Sequence, residues 1–125
     1  MKVKALMNEV VAVEKDMTLK EAAKLMTDKK IGSVVVISGK KILGILTEKD
    51  IVANAGSLGK SVKATMTKSV FTVSPDEEID NAAILMKKHK IHRVPVVEED
   101  ELVGIVTATD LIAHSDELDE EFFFE

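Results

Sequence analysis

Apolar positions along this chain change period in a regular way. Leu19, Ala22, Ala23 and Met26 fall at i, i+3, i+4 and i+7, the spacing of one buried helix face, and Ile79, Ala82, Ala83 and Met86 do the same. A short extended piece precedes each helix, at residues 10–13 and 70–73. Two runs rich in β-branched residues follow each helix, 34–37 with 42–46 and 94–97 with 102–106. The joints Ser38-Gly39-Lys40-Lys41 and Glu98-Glu99-Asp100-Glu101 read as hairpin turns. A second helix is predicted from near Thr47 and again from near Thr107, the first ending at Gly56. Helix-start chemistry stands where the pattern needs it: Thr18-x-x-Glu21 before one helix, Ser74-Pro75-Asp76-Glu77 before the other.

The order β-α-β-β-α therefore occurs twice, which predicts an α/β fold built from a tandem repeat. Adding 60 to the residue number maps residues 11–52 onto the second half without a gap. Ala22, Ala23, Leu25 and Met26 land on Ala82, Ala83, Leu85 and Met86, and Gly44, Ile45, Thr47 and Asp50 on Gly104, Ile105, Thr107 and Asp110. Upstream, after a one-residue step, Val3-Lys4-Ala5-Leu6-Met7 matches Val62-Lys63-Ala64-Thr65-Met66. The expected domains are 1–57 and 58–115, with a tail over 116–125. Runs such as Val34-Val35-Val36-Ile37 do not alternate, so their strands are expected to be covered on both faces. A unit of about 55 residues is too small to cover both alone. The two copies are expected to pack about a pseudo-twofold axis, leaving a cleft on each side.

Composition removes several function classes. The chain of 125 residues is 46% apolar, enough for a real core. It has no Trp, no Tyr and four Phe, so aromatics on which bases could stack are nearly absent. A net charge of −5 gives no basic footprint for nucleic acid or an anionic membrane. With no Cys, disulfides, thiolate metal sites and a cysteine nucleophile are excluded. His89, His92 and His114 lack metal-ligand spacing, and no metal is expected. No leader-like apolar stretch opens the chain, and none reaches the ~18 residues of a membrane span. A soluble, cytoplasmic protein is expected. The methionines fall largely on apolar faces and read as core packing. The tail is acidic yet holds Phe122, Phe123 and Phe124; it reads either as a frayed end that packs on its own dimer or as a docking peptide.

Each copy's last strand runs into its helix through a shared signature. Copy one has Gly44-Ile45-Leu46-Thr47-Glu48-Lys49-Asp50, and copy two Gly104-Ile105-Val106-Thr107-Ala108-Thr109-Asp110. A plain reading is a capping box, Thr to Asp three residues on, repeated in both copies. The functional reading is a ligand corner. Threonine hydroxyls and helix-start N–H groups suit phosphate, and an Asp carboxylate can accept both hydroxyls of a ribose.

Gly-apolar-x-Thr-x-x-Asp after a β-hairpin, in tandem, resembles the nucleotide-binding signature of CBS domains. The Val-x-x-x-Met pieces, the Ala-Ala-x-Leu-Met helices and Ile91-His92-Arg93-Val94-Pro95-Val96-Val97 resemble that family too. The resemblance spans residues 3–113 and implies a CBS domain pair. Such pairs are regulatory modules for AMP, ADP, ATP, S-adenosylmethionine or related adenosyl compounds. It implies one site of Thr47 and Asp50 with Ile91, His92, Arg93 and Val94. It implies a second of Thr107, Thr109 and Asp110 with Ile31, Gly32, Ser33 and Val34. In each, the Asp would hold the ribose, and the apolar and backbone groups opening the hairpin would read the adenine.

The two sites are chemically unequal. His92 and Arg93 resemble a phosphate-contacting pair, and the Arg fork binds phosphate in a bidentate manner; a solvated surface charge is the plain alternative for Arg93. Gly32 and Ser33 offer no charge. Lys29, Lys30 and Lys49 stand near the clefts but read as ordinary surface lysines. Copy one has Val35 where copy two has Pro95, which leaves the start of its hairpin open. The expected function is a free-standing, non-enzymatic energy or metabolite sensor, homodimeric and acting through a protein effector. The alternative is a non-catalytic dimeric scaffold with vestigial clefts. No nucleophile–base pair or metal set converges, which argues against an enzyme.

Overall fold

A computed structural model describes residues 1–117, so the Phe122, Phe123 and Phe124 stretch lies outside the described residues. The chain forms two compact units. One is Val11–Val70; the other joins Met1–Val10 to the chain from Phe71 onward.

The first unit contains β1 (Ala12–Val13), α1 (Leu19–Lys29), β2 (Ser33–Ser38), β3 (Lys41–Thr47), α2 (Glu48–Ala53) and α3 (Val62–Thr65). Its sheet has the order β1-β2-β3, with β1 parallel and β3 antiparallel to β2. Leu19, Ala22, Val36, Leu46 and Val62 form its core. The second unit contains α4 (Ile79–His89), β4 (Arg93–Glu98), β5 (Glu101–Thr107) and α5 (Ala108–Ala113), with single 3-10 turns at Val3–Ala5 and Ser115–Glu117. Its core gathers Val3, Leu6, Val73, Ile79, Ala82, Met86, Val94, Val96, Val106 and Leu111. As the unalternating pattern implies, Val34, Val35, Val36, Val94 and Val96 are fully buried.

The units do not follow the repeat boundaries in sequence. The segment that opens the chain packs with the second repeat, and the segment before the second repeat packs with the first. Backbone pairing shows how. Val3 and Lys4 N–H donate to the carbonyls of Glu77 (2.8 Å) and Pro75 (2.9 Å), and Asn8 pairs both ways with Ile105. In the other unit, Leu19 N–H donates to Lys60 O (2.9 Å), Val62 N–H to Met17 O (2.8 Å), and Thr67 pairs both ways with Ile45. Each segment carries one fully buried valine, Val3 or Val62, into the core it joins.

The same exchange explains one helix start. Thr18 caps α1 with a full capping box: its Oγ1 accepts from Glu21 N–H at 3.1 Å, and Glu21 Oε1 accepts from Thr18 N–H at 3.4 Å. In α4 the N-cap is Glu78, not the expected Ser74–Glu77 stretch, and it makes no side-chain cap bond. Ser74 and Glu77 instead close a turn ahead of the helix, Glu77 accepting from Ser74 N–H. The first N–H of α4, on Ile79, is satisfied by Met1 O at 3.0 Å, so a tertiary carbonyl replaces the cap.

Both hairpins have two-residue turns. Gly39 is left-handed (φ 64°) in the first, and Glu99 and Asp100 (φ 49° and 64°) in the second, the pattern of a type I′ turn made from two acidic residues. Register shifts after Val36 and Val96 leave Leu43 and Val103 as unpaired bulge residues. The first helices of both copies end on a left-handed lysine, Lys30 or Lys90. α2 stops at Ala53, short of the expected Gly56. Asn54 follows it, its side chain donating to Asp50 O at 2.8 Å, so the last turn closes without glycine. The Val35/Pro95 difference leaves the hairpin registers alike and bears on the pairing of β2 with the outer strand β1. Val35 N–H donates to Val11 O at 3.1 Å, a bond Pro95 cannot make, and copy two keeps only a single bridge, Val73 to Val96, where copy one has β1.

Candidate functional site

The signature places a strand-to-helix corner at the end of each hairpin, and the two corners are built alike. In the first unit, Thr47 pairs with Ser33 across the sheet, and Glu48 N–H donates to Gly32 O at 3.1 Å. In the second, Thr107 pairs with Arg93, and Ala108 N–H donates to His92 O at 2.7 Å. Within a unit, each corner thus abuts the opening residues of its own hairpin. Both expected groupings take the signature from one unit and the hairpin opening from the other.

Some of the helix-start N–H groups expected to receive an anion are already committed. The first is taken by the Gly32 or His92 carbonyl, and Asp110 N–H donates to Thr107 Oγ1 at 3.3 Å. α2 and α5 are each six residues, too short to lend much dipole.

The aspartates keep a free face. Asp50 Oδ2 accepts from Thr47 N–H (2.9 Å) and Thr47 Oγ1 (3.2 Å). Asp110 Oδ2 accepts from Thr107 N–H and Oγ1 (2.8 Å each) and from the Asn8 side-chain amide (2.8 Å). No hydrogen bond engages either Oδ1 among the described residues, and both aspartates are half-buried. Capping and ligand reading therefore use different oxygens of one carboxylate: Oδ2 orients the group and Oδ1 remains for a hydroxyl donor.

The signature glycines answer to the crossing segments. A Cβ on Gly44 would lie 2.6 Å from Met66 Sδ and 2.8 Å from Thr67 O; on Gly104 it would lie 3.0 Å from both Asn8 O and Met7 Sδ. At Gly44 only glycine lets the segment lie this close to the strand, and at Gly104 a Cβ would be tight.

His92 is exposed and Arg93 half-buried, and neither makes an ion pair or side-chain hydrogen bond among the described residues. Ile31 and Gly32 line a cleft of about 500 Å³ in the first unit, bounded by Ala23, Met26 and Thr27 of α1 and by Glu48, Ile51 and Val52 of α2. Ser33 and Val34 are buried in β2, and Ile91 packs on the second unit's core beside buried Val94. Thr109 is exposed. Asn8 is the site residue that sequence reasoning missed. Its one signal was the step in the repeat, which sets Asn8 against Thr67.

A sequence profile of the CBS domain matches residues 3–56 and 60–117. The chain belongs to the CBS domain family. It is 34% identical over 105 residues to the uncharacterized protein MJ1232 of Methanocaldococcus jannaschii, covering 83% of this chain and 36% of that protein. It is 39% identical over 108 residues to the inosine-5'-monophosphate dehydrogenase of Korarchaeum cryptofilum, covering 85% of this chain and 22% of the enzyme. The chain thus spans about a third of the length of one relative and about a fifth of the other. Among solved structures, the CBS domain pair of protein MJ0100, in complex with 5'-methylthioadenosine and S-adenosyl-L-methionine, superposes with a TM-score of 0.86 at 30% identity, covering 93% of this chain and 96% of that one. The tandem α/β repeat is therefore that of a CBS domain pair. No helix among the described residues is long and apolar enough to cross a membrane, and no group of three His, Cys, Asp or Glu among them could hold a metal ion.

Proposed function

We propose that this CBS pair is a regulatory module that binds an adenosyl ligand, of the AMP, ADP, ATP or S-adenosylmethionine type, and reports its level to a protein effector. The observation that carries the reading is the state of Asp50 and Asp110. Each is fixed by Thr through Oδ2 and leaves Oδ1 without a partner, an acceptor suited to ribose hydroxyls. The likeness to the MJ0100 pair, which holds two adenosyl compounds, supports the class of ligand. Arg93, unpaired beside Thr107, adds a donor fork for a phosphorylated ligand. Val52 and Ile112, 74% and 65% exposed at matching places in α2 and α5, favour a homodimer as the reporting form.

The test is a thermal-shift panel of AMP, ADP, ATP, S-adenosylmethionine and methylthioadenosine. A ligand at ~100 times its dissociation constant adds about 2.7 kcal/mol, a shift of several degrees. No shift from any of them at millimolar concentration would favour the scaffold reading, in which the Thr–Asp pairs serve only as caps.

A further inference from the structure

We propose that Asn8 is a positioning residue that makes the Asp110 corner hold a ribose differently from the Asp50 corner; this rests on the adenosyl-ligand reading above. The backbone of Asn8 is pinned to β5, its N–H donating to Ile105 O at 2.9 Å and its carbonyl accepting from Ile105 N–H at 3.0 Å. Gly104, lacking a Cβ, lets the segment approach this closely. From that fixed point the side-chain amide donates to Asp110 Oδ2 at 2.8 Å. Thr67 occupies the matching place in the first unit with the same two-way pairing to Ile45, and its side chain makes no hydrogen bond to Asp50.

The consequence is chemical. Three donors converge on Asp110 Oδ2, from Thr107 N, Thr107 Oγ1 and Asn8 Nδ2, against two on Asp50 Oδ2. An oxygen so filled has little capacity for a further donor, so both hydroxyls of a ribose must be met by Oδ1 or by the Asn8 amide oxygen beside it. The third bond also ties the carboxylate to a second segment of the chain, besides the cap. The Asp110 corner is thereby selective for an intact ribose, and the Asp50 corner is more tolerant.

The experiment is an amide-resolved NMR titration of the full chain with adenosine and with 2′-deoxyadenosine. The amides of Gly104 to Thr109 report one corner and those of Gly44 to Lys49 the other. In Asn8→Thr, the preference for adenosine at the Asp110 corner falls roughly three- to tenfold, the net scale of one intramolecular hydrogen bond, and the Asp50 corner does not change. In Thr67→Asn, the preference at the Asp50 corner rises. An unchanged preference at the Asp110 corner in Asn8→Thr, at wild-type melting temperature, overturns the proposal. If Asn8→Thr melts early, Thr67→Asn decides, and no gain at the Asp50 corner overturns it. A wild-type chain in which neither corner responds to adenosine overturns this inference together with the ligand reading; a wild-type response that neither substitution alters overturns this inference alone.

Discussion

Replacing Gly44 with alanine should damage the fold more than the same change at Gly104, although the two occupy one motif position. At Gly44 the new methyl would sit 2.6 and 2.8 Å from Met66 Sδ and Cγ and 2.8 Å from Thr67 O. The methionine can swing away. The carbonyl cannot, because Thr67 O accepts from Ile45 N–H at 2.9 Å and Thr67 N–H donates back to Ile45 O at 3.0 Å. Relief requires lifting the segment off β3, and overpacking of that kind costs about 2–3 kcal/mol. At Gly104 the nearest atoms are at 3.0, 3.0 and 3.2 Å; Asn8 O is paired to Ile105 just as Thr67 O is to Ile45, but the shift asked of it is only a few tenths of an ångström. There the cost is about 1 kcal/mol or less, partly offset by the ~0.4–1 kcal/mol that Ala gains over Gly by restricting the unfolded chain. Urea and thermal unfolding followed by far-UV circular dichroism would measure both, since the chain has no Trp or Tyr for fluorescence. Gly44→Ala should lower the melting temperature by roughly 6–12 °C and Gly104→Ala by no more than a few degrees. Met66→Ala in the Gly44→Ala background should recover part of the loss. Equal costs at the two positions, or a larger one at Gly104, would refute the ranking drawn from these distances, and no cost at either would refute the idea that the signature glycine admits the crossing segment.

Three further outcomes are expected. Arg93→Ala should weaken AMP by about tenfold, the scale of a charge-assisted phosphate contact, and leave adenosine nearly unchanged in calorimetry; equal losses would remove the phosphate role. The Asp16 carboxylate lies below its ordinary range because Ser61 Oγ–H and Lys63 N–H donate to it, tying the segment before α3 to the turn before α1. Its contribution is present above the unfolded pKa of about 3.9 and is lost as pH falls through the lower folded value, so Asp16→Ala should melt earlier at pH 7 and match wild type at the acid end; a pH-independent deficit would contradict this. Glu99→Asn with Asp100→Gly places preferred residues at two left-handed turn positions and should raise stability by ~1–2 kcal/mol in urea titration; no gain would mean that the turn is not strained.

Much of this was legible in the chain because helix and hairpin periods are local. The i, i+3, i+4, i+7 faces gave α1 and α4, and the β-branched runs gave both hairpins to within a residue or two. What periodicity does not carry is which copy a short apolar segment joins. Val3-x-x-Leu6 and Val62 read alike in either direction, and only backbone pairing to Glu77, Pro75 and Met17 assigns them. The α4 cap was misplaced for the same reason: a distant carbonyl, Met1 O, does the work of a local side chain. Gly56 looked like a helix stop, yet Asn54 closes α2 first. At the corners, Thr and Asp were identifiable as a pair, but the division of labour between Oδ2 and Oδ1 and the arrival of Asn8 at Asp110 need three dimensions.

The most direct measurement is calorimetric titration of S-adenosylmethionine, with AMP in parallel, into the wild-type chain and into Asp50→Asn/Asp110→Asn. An asparagine keeps an oxygen for the cap and turns an N–H₂ toward the ligand, so the cap survives while the hydroxyl acceptor is lost. Saturable binding of at least one of the two compounds to wild type, abolished in a double variant that melts close to wild type, is the predicted result. Undiminished binding in the double variant, or no binding of either compound to wild type at millimolar concentration, would contradict the assignment of these aspartates to a ribose.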